Sequence, residues 1–145
     1  MKYKRLCMIG ILVLSTNLSF AADQKLDRKQ IYELRKECGK SAAEYTKRFN
    51  LCGGTDRSYT NHYNTKLNIC FIDMKETCSD EHTEKDGKLM FMESLFDVDE
   101  NKEYATYYGF ALASDEKSKI MCSVGDKNCK SVLEFWKLIK PYMEE

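Results

Sequence analysis

Six cysteines follow Ala21: Cys38, Cys52, Cys70, Cys78, Cys122 and Cys129. The only other one, Cys7, lies in a segment that reads as an export signal. Lys2, Lys4 and Arg5 form a positive start, Leu6 to Leu14 is apolar, and Ser19-Phe20-Ala21 puts small residues at the −3 and −1 positions. That pattern predicts a signal peptide over residues 1–21, cleaved after Ala21. Its apolar run falls well short of the roughly 20 residues of a spanning helix, so no membrane span is expected in the mature chain. Cys7 stands at the start of that run, without the apolar stretch and small residue that should precede a lipid-attachment cysteine, and is discarded with the signal. A small exported chain with an even set of cysteines is confined to folds that bring its sulfurs together in pairs.

Which pairs form is only partly legible. Cys122 and Cys129 bracket Ser-Val-Gly-Asp-Lys-Asn, a stretch that can turn back on itself, and are expected to join. For the other four, Cys38–Cys70 and Cys52–Cys78 are the favoured pairs. The rival use of cysteine, a zinc site, lacks CxxC pairs and a Cys/His cluster at ligand spacing. A haem-attachment motif is likewise missing. The sequence therefore predicts neither metal nor cofactor.

Charge narrows the partners. The chain carries 23 basic and 23 acidic residues. Losing Lys2, Lys4 and Arg5 with the signal leaves 20 basic against 23 acidic, a net −3. That balance offers no basic field for nucleic acid. No Gly/Ser/Pro-rich linker divides residues 22–145, which read as a single domain.

Periodicity places a helix first. Ile31, Leu34, Cys38, Ala42, Tyr45 and Phe49 recur at helical spacing, with Asp27 and Gln30 as a capping box. Cys38 lies on that apolar stripe, where it would face the core. Alternation then predicts a largely buried strand over about 66–75 and a hairpin from Leu89–Val98 to Tyr104–Leu112, turning at Asp99 to Lys102. A last helix starts at Ser131 with Glu134 as capping partner. It presents Val132, Phe135, Trp136, Ile139 and Met143, and Pro141 should kink or end it. The expected fold is α+β: an N-terminal helix, a three- to four-stranded antiparallel sheet with the helices on one face, and a C-terminal helix, stabilised by disulfides.

The densest polar and aromatic block is His62-Tyr63-Asn64-Thr65-Lys66-Leu67-Asn68-Ile69-Cys70-Phe71. It resembles a group of small exported bacterial proteins of unknown function that carry an H-Y-N-x-K-L-N-x-C-F block. The resemblance extends to Cys38-Gly39-Lys40-Ser41-Ala42-Ala43, to Glu93-Ser94-Leu95-Phe96-Asp97-Val98 and to Glu134–Met143, and so spans most of the mature chain. It implies export and an α+β fold, and brings no activity with it.

His62 is the candidate base in this block, since imidazole titrates near neutrality. No nucleophile motif accompanies it: G-x-S-x-G is missing, and paired cysteines cannot act as thiols. The structural alternative is that His62, Asn64 and Asn68 hydrogen-bond backbone where a buried strand begins, a task suited to side chains that both donate and accept. His82, in a polar loop with Asp80 and Glu84, reads as solvated rather than metal-binding. Asp97-Val98-Asp99-Glu100-Asn101 starts like a calcium loop. It then has Lys102 where glycine is needed and Tyr108 where the closing glutamate is needed. Among Tyr104, Tyr107, Tyr108 and Phe110, Tyr107 opposes the other three and is expected to be the exposed one.

No catalytic residue is assigned. The candidate binding residues are His62, Tyr63, Asn64, Lys66, Asn68 and Tyr107. The reading these support is a non-enzymatic binding or interaction module of the cell envelope, periplasmic or secreted, with a protein or small-molecule partner. The alternatives are a small hydrolase or transferase using His62, and a secreted enzyme inhibitor presenting the Ser79 to Lys88 loop.

Overall fold

The capping box at Asp27 forms as the spacing predicts. The Asp27 carboxylate accepts from the Gln30 amide and the Gln30 side chain accepts from the Asp27 amide, both at 2.8 Å. Helix α1 runs from there over Arg28–Arg48 and buries Cys38, Ala42 and Tyr45. The structure, a computed structural model, describes residues 26–53, 56–78, 89–110 and 119–144. The expected signal peptide, the Ser79 to Lys88 loop and His82 lie outside them.

Among the described residues six strands follow, not three or four: β1 (Asp56–Asn64), β2 (Ile69–Cys78), β3 (Met90–Asp97), β4 (Lys102–Phe110), β5 (Lys119–Val124) and β6 (Lys127–Asn128). They form one sheet in sequence order, each strand antiparallel to the next. Strand β1 escapes the sequence reading because it is an edge strand. Asp56 to Thr60 are all exposed, so no apolar alternation marks them. The strand expected to begin near residue 66 begins at Ile69, because Thr65 to Asn68 form the turn between β1 and β2. Strands β5 and β6 fill the bracket between Cys122 and Cys129, with Gly125 at φ +55° supplying the left-handed turn residue. Asn68 and Asn101 take φ +56° and +51° at the β1–β2 and β3–β4 turns, a conformation asparagine tolerates better than most residues.

Helix α2 (Val132–Met143) is capped by the Ser131 hydroxyl, which accepts from the Glu134 amide at 3.3 Å. The Glu134 carboxylate reaches back to the Lys130 amide at 2.7 Å, one residue earlier than a standard capping box. Pro141 sits inside the last turn, where the helix is already ending.

Helices α1 and α2 lie on opposite faces of the sheet, which corrects the one-face expectation. Neighbouring strand residues point to opposite faces. Ile72 packs with Ala42 and Tyr45 of α1, whereas Phe71 packs with Phe135 and Ile139 of α2. The α2 side holds the larger core, with Leu95, Ala105, Tyr107, Cys122, Val124 and Cys129. A bulge adds to it: Leu95 pairs with Ala105 but Phe96 pairs with Glu103, so Tyr104 is the extra residue. Its ring meets Phe71 and Tyr142 with centroids 5.1 and 5.8 Å away.

All three expected disulfides form. Cys38–Cys70 joins α1 to β2, Cys52–Cys78 ties the segment after α1 to the end of β2, and Cys122–Cys129 closes the β5–β6 hairpin. Their Cα separations of 5.4, 5.7 and 5.1 Å are ordinary for disulfides. No helix among the described residues is long and apolar enough to cross a membrane.

Candidate functional site

The β1–β2 hairpin carries most of the residues singled out from sequence, and the sheet sends them to different faces. In this antiparallel register Tyr63 opposes Cys70 on the α1 face, and His62 opposes Phe71 on the α2 face. Tyr63 is buried beside Cys38 and Cys70, and its hydroxyl donates to the Asn68 side chain. Burial, and then the charge of Asp99, raises the Tyr63 phenol above its ordinary value. Asn64 is 2 % exposed. Its carbonyl oxygen accepts from the amides of Lys66 and Leu67 at 3.1 and 3.0 Å. Its amide nitrogen donates to the carbonyls of Pro141 and Tyr142 at 3.1 and 3.2 Å. Lys66 and Asn68 are exposed on the turn. Together these contacts fix the hairpin and the end of α2.

Tyr107 overturns its expectation. It is 1 % exposed, packed between Phe91 and Phe135. The face opposite Tyr104 and Phe110 looked outward only on the assumption that one side of the sheet is open. With α2 covering that side, Tyr107 is core.

A different group of residues forms a site. An open cavity of about 450 Å³ lies between strands β1 to β3 and α2. Its floor is Thr60, Asp73, Lys75 and Glu93, and its wall is Trp136, Ile139, Lys140 and Met143. The register explains the floor. Thr60 pairs with Asp73 and Lys75 with Glu93, so all four share the α2 face. The wall residues recur at helical spacing on one side of α2.

Lys75 is the pivot of the floor. Its Nζ lies 3.4 Å from Asp73 Oδ2 and 3.2 Å from Glu93 Oε1. The Trp136 indole N–H donates to Glu93 Oε2 at 2.7 Å, and its ring centroid is 6.0 Å from the Lys75 ammonium. Asp73 and Glu93 are 5 % and 0 % exposed. Among the described residues, Asp73 Oδ1 and Glu93 Oε1 are buried without a hydrogen-bond partner.

The electrostatics follow from burying two carboxylates around one ammonium. Burial pushes Glu93 up, the like charge of Asp73 adds to this, and the Trp136 and Lys75 contacts only partly oppose it, leaving Glu93 at about 7. Burial also raises Asp73, with the Lys75 charge and the side-chain contacts of Glu93 and Lys75 pulling the other way without cancelling it. For Lys75, burial works downward, but the charges of Asp73 and Glu93 outweigh it and the ammonium is held above its usual range. The site can accept hydrogen bonds, exchange a proton near neutrality and pack an apolar group against an indole.

His62 shares this face of β1 but does not line the cavity. The sequence did hold a signal for the true lining. Asp73 and Lys75 continue the face of Phe71, and Glu93 sits between Phe91 and Leu95 on one face of β3. Charges on the inner face of buried strands are rarely placed without partners. A second cavity of about 330 Å³, on the α1 side at Tyr45, Arg48, Phe49, Val98, Asp99 and Asn101, has its buried phenol satisfied by the Asn101 side chain at 2.7 Å. Among the described residues no cluster of three or more His, Cys, Asp or Glu side chains is arranged to hold a metal ion.

Compared with models of protein families, with curated proteins and with solved structures, the chain matches none.

Proposed function

We propose that this chain is a non-enzymatic binding module of the cell envelope or its surroundings, exported through the segment Met1 to Ala21 and acting as residues 22–145. Three disulfides fit an oxidising compartment, periplasmic or extracellular. The binding site of this reading is the cavity between β1–β3 and α2, and the partner is a small molecule or a side chain of another protein.

One observation carries the choice of site. Asp73 Oδ1 and Glu93 Oε1 are buried acceptors without a hydrogen-bond partner among the described residues, at the floor of an open cavity. Leaving such an atom unmet costs about 1–3 kcal/mol, a cost a ligand donor removes. The hydrolase or transferase reading relies on His62, which stands outside this lining.

The test is a fragment screen by two-dimensional NMR on the purified, disulfide-intact protein, using the Trp136 indole and the amides of Asp73, Lys75 and Glu93 as reporters. The expected result is saturable shifts at these positions with every hit recovered chemically unchanged. A hit consumed over time would replace the binding module by an enzyme. Shifts confined to His62, Tyr63 and Lys66 would move the site to the hairpin.

A further inference from the structure

We propose that the cavity takes an organic cation, a primary ammonium or guanidinium group on a short apolar stem, with an N–H donor placed on Asp73 Oδ1. The inference rests on the binding reading above and names the chemistry of its ligand.

Three properties of the cavity converge on a cation. The first is the direction of its unmet hydrogen bond. Asp73 is 5 % exposed, and its Oδ1 lacks a partner among the described residues. Glu93 Oε1 is likewise buried without a hydrogen bond, 3.2 Å from Lys75 Nζ, while Asp73 Oδ2 faces Lys75 and Glu93 Oε2 receives the indole N–H. The site therefore asks for a donor. An anionic ligand would meet carboxylates and a lysine already shared between two of them.

The second property is charge. Two buried carboxylates face one ammonium, and at the rim Lys140 is paired with Glu144 at 3.4 Å. With both carboxylates ionised, the floor lacks one positive charge. A hydroxyl would supply a donor without that charge, whereas an ammonium or guanidinium supplies both.

The third is shape. Trp136 is 44 % exposed and stands with Ile139 and Met143 along one wall. An alkyl stem packs on these side chains while the cation lies near the indole face, where a ring attracts positive charge. A volume of about 450 Å³ accommodates a small ligand of this kind.

Occupancy then has a proton signature. The charged groups around Glu93 are Asp73 and Lys75 from β2, Lys140 from α2 and Glu144 just beyond it. Burial and the Asp73 charge hold Glu93 at about 7, so near neutrality it is partly protonated. A cation beside it favours the ionised form, and binding should release protons.

The experiment titrates the intact protein with n-butylammonium and n-butylguanidinium, and in parallel with n-pentanol, methyl β-glucoside and butyrate. The Trp136 indole and the Asp73 and Lys75 amides are followed by NMR. Calorimetry at pH 7 in two buffers of different ionisation enthalpy counts protons. The cations should shift the reporters saturably and release protons, and the other three probes should not. Asp73→Asn should weaken cation binding by about tenfold or more, the loss of one charge-assisted hydrogen bond. Should that variant fail to fold, Glu93→Gln should bind the cations more weakly and release no proton. Equal or stronger shifts with pentanol, glucoside or butyrate would overturn the cation and leave the binding site standing. Silence from all five probes, together with an empty fragment screen, would remove both.

Discussion

The Asn64 side chain donates a 3.1 Å hydrogen bond to the Pro141 carbonyl, across 77 residues of sequence. The last carbonyls of a helix have no partner within it. Here one buried amide satisfies those of Pro141 and Tyr142 while its oxygen holds the β1–β2 turn through Lys66 and Leu67. Asn64→Ala should therefore cost about 2–3 kcal/mol, more than a single hydrogen bond, because buried partners on both sides are left unmet. Urea unfolding of the oxidised protein measures it. Asn64→Asp keeps the turn acceptor but sets a negative charge against the helix's C-terminal carbonyls, and should also destabilise. Wild-type stability in both variants would show that the contacts carry little energy.

Glu93 should make stability fall with rising pH. Its value is raised from 4.5 to about 7 in the folded protein. Below pH 4.5 both states hold the proton. Between 4.5 and 7 the unfolded chain has released it and the folded protein retains it, so each pH unit in that window removes up to about 1.4 kcal/mol. Above 7 the loss is complete. Asp73, also raised by burial, acts in the same sense. Glu93→Gln should flatten the difference between denaturation midpoints at pH 4.5 and 7.5. A wild-type protein equally stable at both would contradict the buried carboxylate pair.

The three disulfides should contribute unequally. They span sequence separations of 32, 26 and 7 residues. The entropy of closing such loops predicts roughly 4 kcal/mol for Cys38–Cys70 and for Cys52–Cys78, but about 2 for Cys122–Cys129. Paired Cys→Ser variants, compared by thermal unfolding, should lose the least at Cys122 and Cys129.

Tyr107→Phe should leave stability unchanged or raise it by up to about 1 kcal/mol. The Tyr107 hydroxyl is buried without a hydrogen-bond partner among the described residues, so removing it relieves a desolvated polar group. A loss above that size, read from the same denaturant curves, would reveal a partner for the hydroxyl.

Local signals in this sequence are explicit, and long-range ones are not. Helix α1 could be read closely, since Asp27, Gln30 and the stripe from Ile31 to Phe49 are local features and the helix obeys them. Strands β2 to β4 were visible as alternation, though the start of β2 was set too early. Strand β1 was not visible, because an edge strand with Asp56 to Thr60 in solvent carries no apolar period. Alternation sets Tyr107 opposite Tyr104 and Phe110 without saying which of the two faces is covered.

The sequence by itself determined what depends on neighbours along the chain: the helix caps, the turn at Asp99 to Lys102, and the hairpin closed by Cys122 and Cys129. Pairing at longer range, between Cys38 and Cys70 or between Asn64 and Pro141, is realised only when the sheet has formed and a helix covers each face. The site belongs to that second kind. Asp73, Lys75, Glu93 and Trp136 come from β2, β3 and α2, and each alone is an ordinary charged or aromatic residue. Only the cross-strand register places one ammonium between two carboxylates, and only the docking of α2 brings the indole onto Glu93. Burial then follows from packing against elements distant in sequence, and burial is what raises Glu93 and leaves Asp73 with an unmet oxygen.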